Sequence, residues 1–175
     1  MDLDYQTNNS MTFSKIVEPG ECMAMSCDWA RVTLTHGKSR RDLLNESKWH
    51  IGQSAYEKGT SRRDEEIIQA MGLRLISAKR TPVHAGATVA STLIHQHGTF
   101  VWGIVGPGGG HAMGYRRGFC ADTMGRESEV IEFFDPNFGL YVARDALDFK
   151  RCVTQELTTH YADLLEHLDV YEVGL

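Results

Sequence analysis

A cysteine, a histidine and an aspartate are the side chains of this sequence whose placement suits covalent chemistry. A nucleophilic cysteine needs a depressed pKa, a general base within reach, and a group that orients the base. Cys22 comes just after Glu18-Pro19-Gly20, which reads as a turn, and is expected at the N-terminus of a helix. Unpaired N–H groups there favour a thiolate and can donate to an oxyanion. His111 follows Gly108-Gly109-Gly110 and is expected to open a strand, where bare glycines leave an imidazole base accessible. Asp135 follows Glu132-Phe133-Phe134 at the end of another strand and precedes Pro136-Asn137. Singly, each residue has a plainer role: core cysteine, exposed turn histidine, turn-forming aspartate. Together they make a Cys-His-Asp set for attack on an acyl carbon.

The set works only if the fold assembles it. The Cys22–Val32 stretch is apolar almost all round and predicts a buried helix, ended by His36-Gly37-Lys38-Ser39. Residues 40–72 read as charged helix in one or two pieces, broken near Gly59-Thr60-Ser61, with Ser61 as an N-cap. Leu73–Ala78 reads as a short strand or a loop. Ala87–His97 predicts a helix closed by Gly98 at its C′ position. Strands are then expected at Thr99–Val105, His111–Arg116, Glu129–Phe134 and Leu140–Val142. Gly106–Gly110 and Asp135–Gly139 are the turns. A long amphipathic helix over Arg144–Leu168 follows, then a last edge strand at Val170–Val173. Helices, an antiparallel meander and a helix make an α+β layout: N-terminal helices packed on a four- to five-stranded antiparallel sheet. If strands 111–116 and 129–134 pair antiparallel, the start of one lies beside the end of the other. His111 and Asp135 then meet, and the Cys22 helix completes the set from its place on the sheet.

Composition narrows the partners. The chain has 175 residues, 42% of them hydrophobic, enough for one domain with its own core. Net charge is −5, so a nucleic-acid backbone is not the expected partner. The pairs Arg40-Arg41, Arg62-Arg63, Lys79-Arg80 and Arg116-Arg117 are read as solvated surface, since acids accompany most of them. The longest apolar stretch, Phe100–Val105, is too short to span a bilayer, so no integral membrane segment is expected. Residues 1–18 read as a polar, Asn-rich tail with a short extended piece and without the pattern of a Sec signal. Residues 19–175 are the expected domain. Cys22, Cys27, Cys120 and Cys152 are expected as thiols, with all but Cys22 structural. His95-Gln96-His97 lacks the Cys or His pair of a zinc site, and Gly106–Gly110 lacks the Gly-Lys-Ser/Thr ending of a phosphate loop. Trp29, Trp49 and Trp102 are expected in the core.

Three pieces carry a family resemblance: Gly20-Glu21-Cys22 with Trp29, Gly109-Gly110-His111-Ala112-Met113, and Glu132-Phe133-Phe134-Asp135-Pro136-Asn137-Phe138-Gly139. The last is the most specific. In this order they resemble the YopT-type cysteine proteases, papain-like enzymes delivered by bacterial type III secretion systems. The resemblance implies a papain-like fold and a cysteine endopeptidase with Cys22, His111 and Asp135 as its triad. It implies no cofactor and no metal, a host protein as substrate, a secretion chaperone as a further partner, and export by a non-Sec route into the host cytoplasm. Papain-like enzymes usually place a Gln or Asn a few residues before the cysteine as a second oxyanion donor. Here those positions are Ile16, Val17 and Glu18, leaving Ser14, Lys15 or the Asn8-Asn9 pair. Two other functions fit the same triad: a deamidase or transglutaminase acting on Gln or Asn side chains, and a binding module in which the triad is unused.

Overall fold

A computed structural model describes residues 1–7, 19–58, 63–107 and 109–175. Its strands are β1 (Asp2–Gln6), β2 (Arg74–Pro82), β3 (Gly98–Gly106), β4 (Gly109–Ala121), β5 (Glu127–Asp135), β6 (Gly139–Ala143) and β7 (His167–Gly174). Its helices are α1 (Pro19–His36), α2 (Glu46–Lys58), α3 (Arg63–Ala70), α4 (Gly86–Ile94) and α5 (Ala146–His160). The architecture is α+β, and the strands form one antiparallel sheet in the order β1-β6-β5-β4-β3-β7-β2.

The sheet has seven strands rather than four or five because both of its edges are recruited from segments with weak strand signals. Asp2–Gln6, from the expected tail, pairs with β6 at one edge. Arg74–Pro82 pairs with β7 at the other, and its Lys79, Arg80 and Pro82 are residue types that edge strands carry. The C-terminal strand is therefore interior, bonded on both sides by β3 and β2.

Side-chain alternation along the strands sorts the core into two layers. Val101, Ala112 and Phe134 face α1, α2 and α3 with Trp29, Trp49 and Ile67. Their chain neighbours Trp102, Met113 and Phe133 face α4 and α5 with Leu93, Phe149 and Val153. Helices thus cover both faces. The contact between α1 and the sheet is close: Trp29 stacks on Phe134 with ring centroids 5.7 Å apart and planes 2° from parallel. Gly114 makes room for this, since a Cβ there would lie 2.3 Å from an atom of the Trp29 ring.

The helix bounds differ from the expected ones for local reasons. Pro19 and Gly20 belong to α1 rather than to a turn; proline suits the first helical position, where it has no N–H to leave unpaired. Glu18, the proposed break at 59–61 and the Ser61 N-cap lie wholly or partly outside the described residues. Helix α4 ends at Ile94 with His95 as its cap, and Gly98 instead starts β3 with φ 136°. Helix α5 is capped by Asp145, which accepts from the Asp148 N–H at 2.7 Å. It stops at His160 rather than running to Leu168, because Tyr161 leaves helical geometry at φ −131°, ψ 21°. A short turn over Ala162–Leu164 then leads into β7. Among the described residues no helix is long and apolar enough to cross a membrane.

Candidate active site

The structure brings Cys22, His111 and Asp135 together where β4 parts from β5. These strands pair from Gly114 with Phe134 outward to Ala121 with Glu127. Continuing the ladder the other way would require Pro136, which has no N–H to donate. The released end of β4, Gly109–Met113, still pairs with β3 on its other side. The N-terminal turn of α1 packs into the fork, and the Ala112 N–H donates to Cys22 Sγ at 3.4 Å.

Asp135 closes β5 and also shapes the turn after it. Its carbonyl accepts from the Phe138 N–H at 3.0 Å and its Oδ1 from the Asn137 N–H at 2.9 Å. Both bonds are those of an Asp-Pro turn. The turn reading and the triad reading of this residue therefore hold at once. The same Oδ1 lies 2.9 Å from His111 Nε2, although the two residues are 24 apart in sequence. Burial is nearly complete: Cys22 is 2%, His111 5% and Asp135 0% exposed.

Nε2 being taken by the carboxylate, Nδ1 is left for the Cys22 thiol, a hydrogen-bond partner of the same ring. Burial by itself favours the neutral imidazole. The charge and hydrogen bond of Asp135, then those of Cys22, outweigh it and raise His111 from 6.5 to about 10. The arrangement thus favours an imidazolium between two acidic partners. Cys27, one turn and a half further along α1, is 0% exposed, and its thiol is pushed well up by burial and then by the charges of Asp64 and Asp28. All four cysteines are thiols.

Beside the set runs a cleft of about 300 Å³, bounded by Cys22, His111, Gly103, Gly110, Asp64 and Tyr171. Gly109 enters it from the β3–β4 turn with φ 122°, a conformation that only glycine takes without strain. At the far wall the Tyr171 hydroxyl donates to Asp64 at 2.7 Å, and Arg80 forks onto Asp169 at 2.6 and 2.7 Å. Ser14, Lys15 and Asn8-Asn9, the polar residues that precede Cys22, lie outside the described residues.

Sequence reasoning missed Tyr161. Its hydroxyl donates to Asp135 Oδ2 at 2.7 Å and its ring stacks on His111 with centroids 4.6 Å apart. Nothing in the local pattern marks it, because it follows a helix that reads as continuous through that position.

No family model matches the sequence, and no curated protein matches it. Among solved structures the chain is similar to the Pseudomonas avirulence protein AvrPphB, known from its crystal structure. The TM-score is 0.64 at 14% identity, over 88% of this chain and 91% of that one. The chain thus has the fold of AvrPphB.

Proposed function

We propose that this chain is a cysteine endopeptidase, with Cys22 as nucleophile, His111 as base and acid, and Asp135 as the group that orients it. The observation that carries the reading is one continuous line of contacts, Cys22 to His111 to Asp135, buried at the wall of a cleft. A structural histidine needs one partner. This one has an acidic partner on each side and a space for substrate beside it.

In the proposed reaction the Cys22 proton already sits on His111 Nδ1, as the raised imidazole favours, and the thiolate attacks the scissile carbonyl carbon. The N-terminal turn of α1 offers the positive end of its dipole to the oxyanion. Collapse of the tetrahedral intermediate expels the amine, which takes its proton from His111, and leaves a thioester. His111 then deprotonates water, hydroxide adds to the thioester carbon, the C–S bond breaks to release the new carboxyl terminus, and the Cys22 thiolate is restored beside the protonated His111. Asp135 keeps Nε2 protonated throughout, so that Nδ1 is the nitrogen that works.

The AvrPphB-like fold suggests an effector that acts on a protein of a host cell. The test is to incubate wild-type and Cys22→Ala protein with host lysate and map new N-termini. Termini made only by the wild type are expected. Equal processing by both proteins would sink the reading, and deamidated side chains without new termini would move the same triad to amide hydrolysis.

A further inference from the structure

We propose that Tyr161 is a positioning residue, one that holds Asp135 and His111 in the geometry needed to activate Cys22. The proposal rests on the protease reading above and adds to it a residue that lies outside the triad.

Three contacts define its place. The hydroxyl donates to Asp135 Oδ2 at 2.7 Å. It accepts from Asn137 Nδ2 at 2.9 Å. The ring lies on the His111 imidazole, centroids 4.6 Å apart and planes 19° from parallel. Tyr161 is itself only 8% exposed, and burial, followed by Asp135, holds its phenol well above the ordinary value. It is therefore a donor at the neutral pH of the test below.

The rotation of the hydroxyl is settled by its neighbours. The Asn137 amide nitrogen can only donate and a carboxylate can only accept, so the proton must point at Asp135. Asp135 then has three of its roughly four acceptor sites occupied: two on Oδ1 by His111 Nε2 and the Asn137 N–H, one on Oδ2 by Tyr161. A carboxylate held by three donors cannot turn about its own bond without breaking one of them. The imidazole that it orients is fixed at the same time by the ring beneath it. That ring offers its face to the cationic form of the imidazole and keeps water from the bond between His111 and Asp135. One side chain thus restrains both the orienting group and the base.

The test needs no identified substrate. Alkylation of Cys22 by iodoacetamide is followed at neutral pH by peptide mapping in wild type and in Tyr161→Phe, which keeps the ring and removes only the donor. The rate is expected to fall about tenfold, the usual effect of losing one hydrogen bond to a charged group. The proton resonance of His111 Nε2–H is expected to move upfield as the bond to Asp135 loosens. In an Asp135→Asn background the same substitution should change the alkylation rate little, because the partner through which Tyr161 acts is already altered. Asn137→Ala, which removes the amide that aims the hydroxyl, should lower the rate about threefold and serves if Tyr161→Phe does not fold. The proposal is overturned by a wild-type rate and an unmoved resonance in Tyr161→Phe, or by an undiminished tenfold effect without Asp135. A wild-type Cys22 no faster than a thiol of the unfolded chain would overturn the protease reading itself.

Discussion

Strand β4 does two different things along its length. From Gly114 to Ala121 it is a ladder strand bonded to β5, with Tyr115 in one core layer and Gly114 against Trp29 in the other. From Gly109 to Met113 the register with β5 has ended, and the Ala112 N–H goes to a cysteine sulfur instead. Both stretches carry glycine, and both pair with β3 where they adjoin. What differs is what lies opposite: Phe134 in one stretch and the Asp135-Pro136 turn in the other. Backbone groups released from a ladder must find other partners. Here the partner is the first turn of a helix from the α1–α3 layer, while His111 and Asp135 are backed by Tyr161 from the end of the other layer. The candidate site is thus the place where the two layers meet through an opening in the sheet.

Replacing the Cys22 thiol at the open end should change chemistry far more than stability. Cys22→Ala, His111→Ala and Asp135→Ala are each expected to lower target processing by about three orders of magnitude or more, as loss of one member of a cooperating triad does. Cys22→Ala should keep the cooperative melting transition of the wild type. A Cys22→Ala protein that processes target at the wild-type rate would remove the distinction between the two ends of β4.

The closed end should respond in the opposite sense. In Gly114→Ala the new methyl would lie 2.3 and 2.5 Å from atoms of the Trp29 ring. The ring stacks on Phe134 and has no slack, so a loss of roughly 1–3 kcal/mol is expected. Gly110→Ala makes the useful comparison. Its methyl would meet nothing closer than the Ile104 carbonyl at 3.4 Å, so stability should change by less than about 0.5 kcal/mol. Urea denaturation of both variants measures the difference; equal losses would mean that the two stretches are packed alike.

Titration should separate them next. His111 is raised in the folded chain from 6.5 to about 10. A group with a raised folded value binds its proton more tightly in the folded state. Its contribution to stability is complete below the unfolded value and is lost as pH rises through the folded one. The stability difference between wild type and His111→Ala should therefore be constant below about pH 6.5 and shrink toward pH 10. Gly114→Ala should show the same deficit at every pH in that range. A difference for His111→Ala that grows toward alkaline pH would show that the buried imidazole is neutral in the folded chain.

What could be read from the sequence follows the same division. The inner strands β3, β4, β5 and β6 were visible because their apolar and aromatic content reports burial on both faces. Their ends were not: β4 runs Gly109–Ala121 and β5 Glu127–Asp135 rather than His111–Arg116 and Glu129–Phe134, so His111 lies inside β4 instead of opening it, yet it still meets Asp135. The edges were not visible as a pair: Lys79, Arg80 and Pro82 weaken the strand signal of β2, and Asp2 and Asp4 that of β1, because an edge is shaped to discourage further pairing. The end of α5 was missed for another reason. Leu164, Leu165 and Leu168 continue a helical spacing, and only the tertiary partners of Tyr161 take the chain out of the helix. Residues that act through a second residue leave no periodicity of their own.

The smallest effect is expected at Cys27, which tests whether position along α1 or the mere presence of a thiol sets reactivity. Five residues at about 100° each turn Cys27 roughly 140° away from Cys22 around the helix. There it is fully enclosed and belongs to the same apolar cluster as Met25 and Trp29. Burial and the neighbouring acids Asp64 and Asp28 raise its thiol, so it should remain protonated and unlabelled while Cys22 reacts. Cys27→Ala should lose only the packing of one sulfur, about 1 kcal/mol, and keep wild-type processing of the target. Peptide mapping after limiting iodoacetamide gives the order of labelling directly. Were Cys27 labelled before Cys22, or Cys27→Ala inactive, the nucleophile would have to be sought in the interior of α1 rather than at the opening of the sheet.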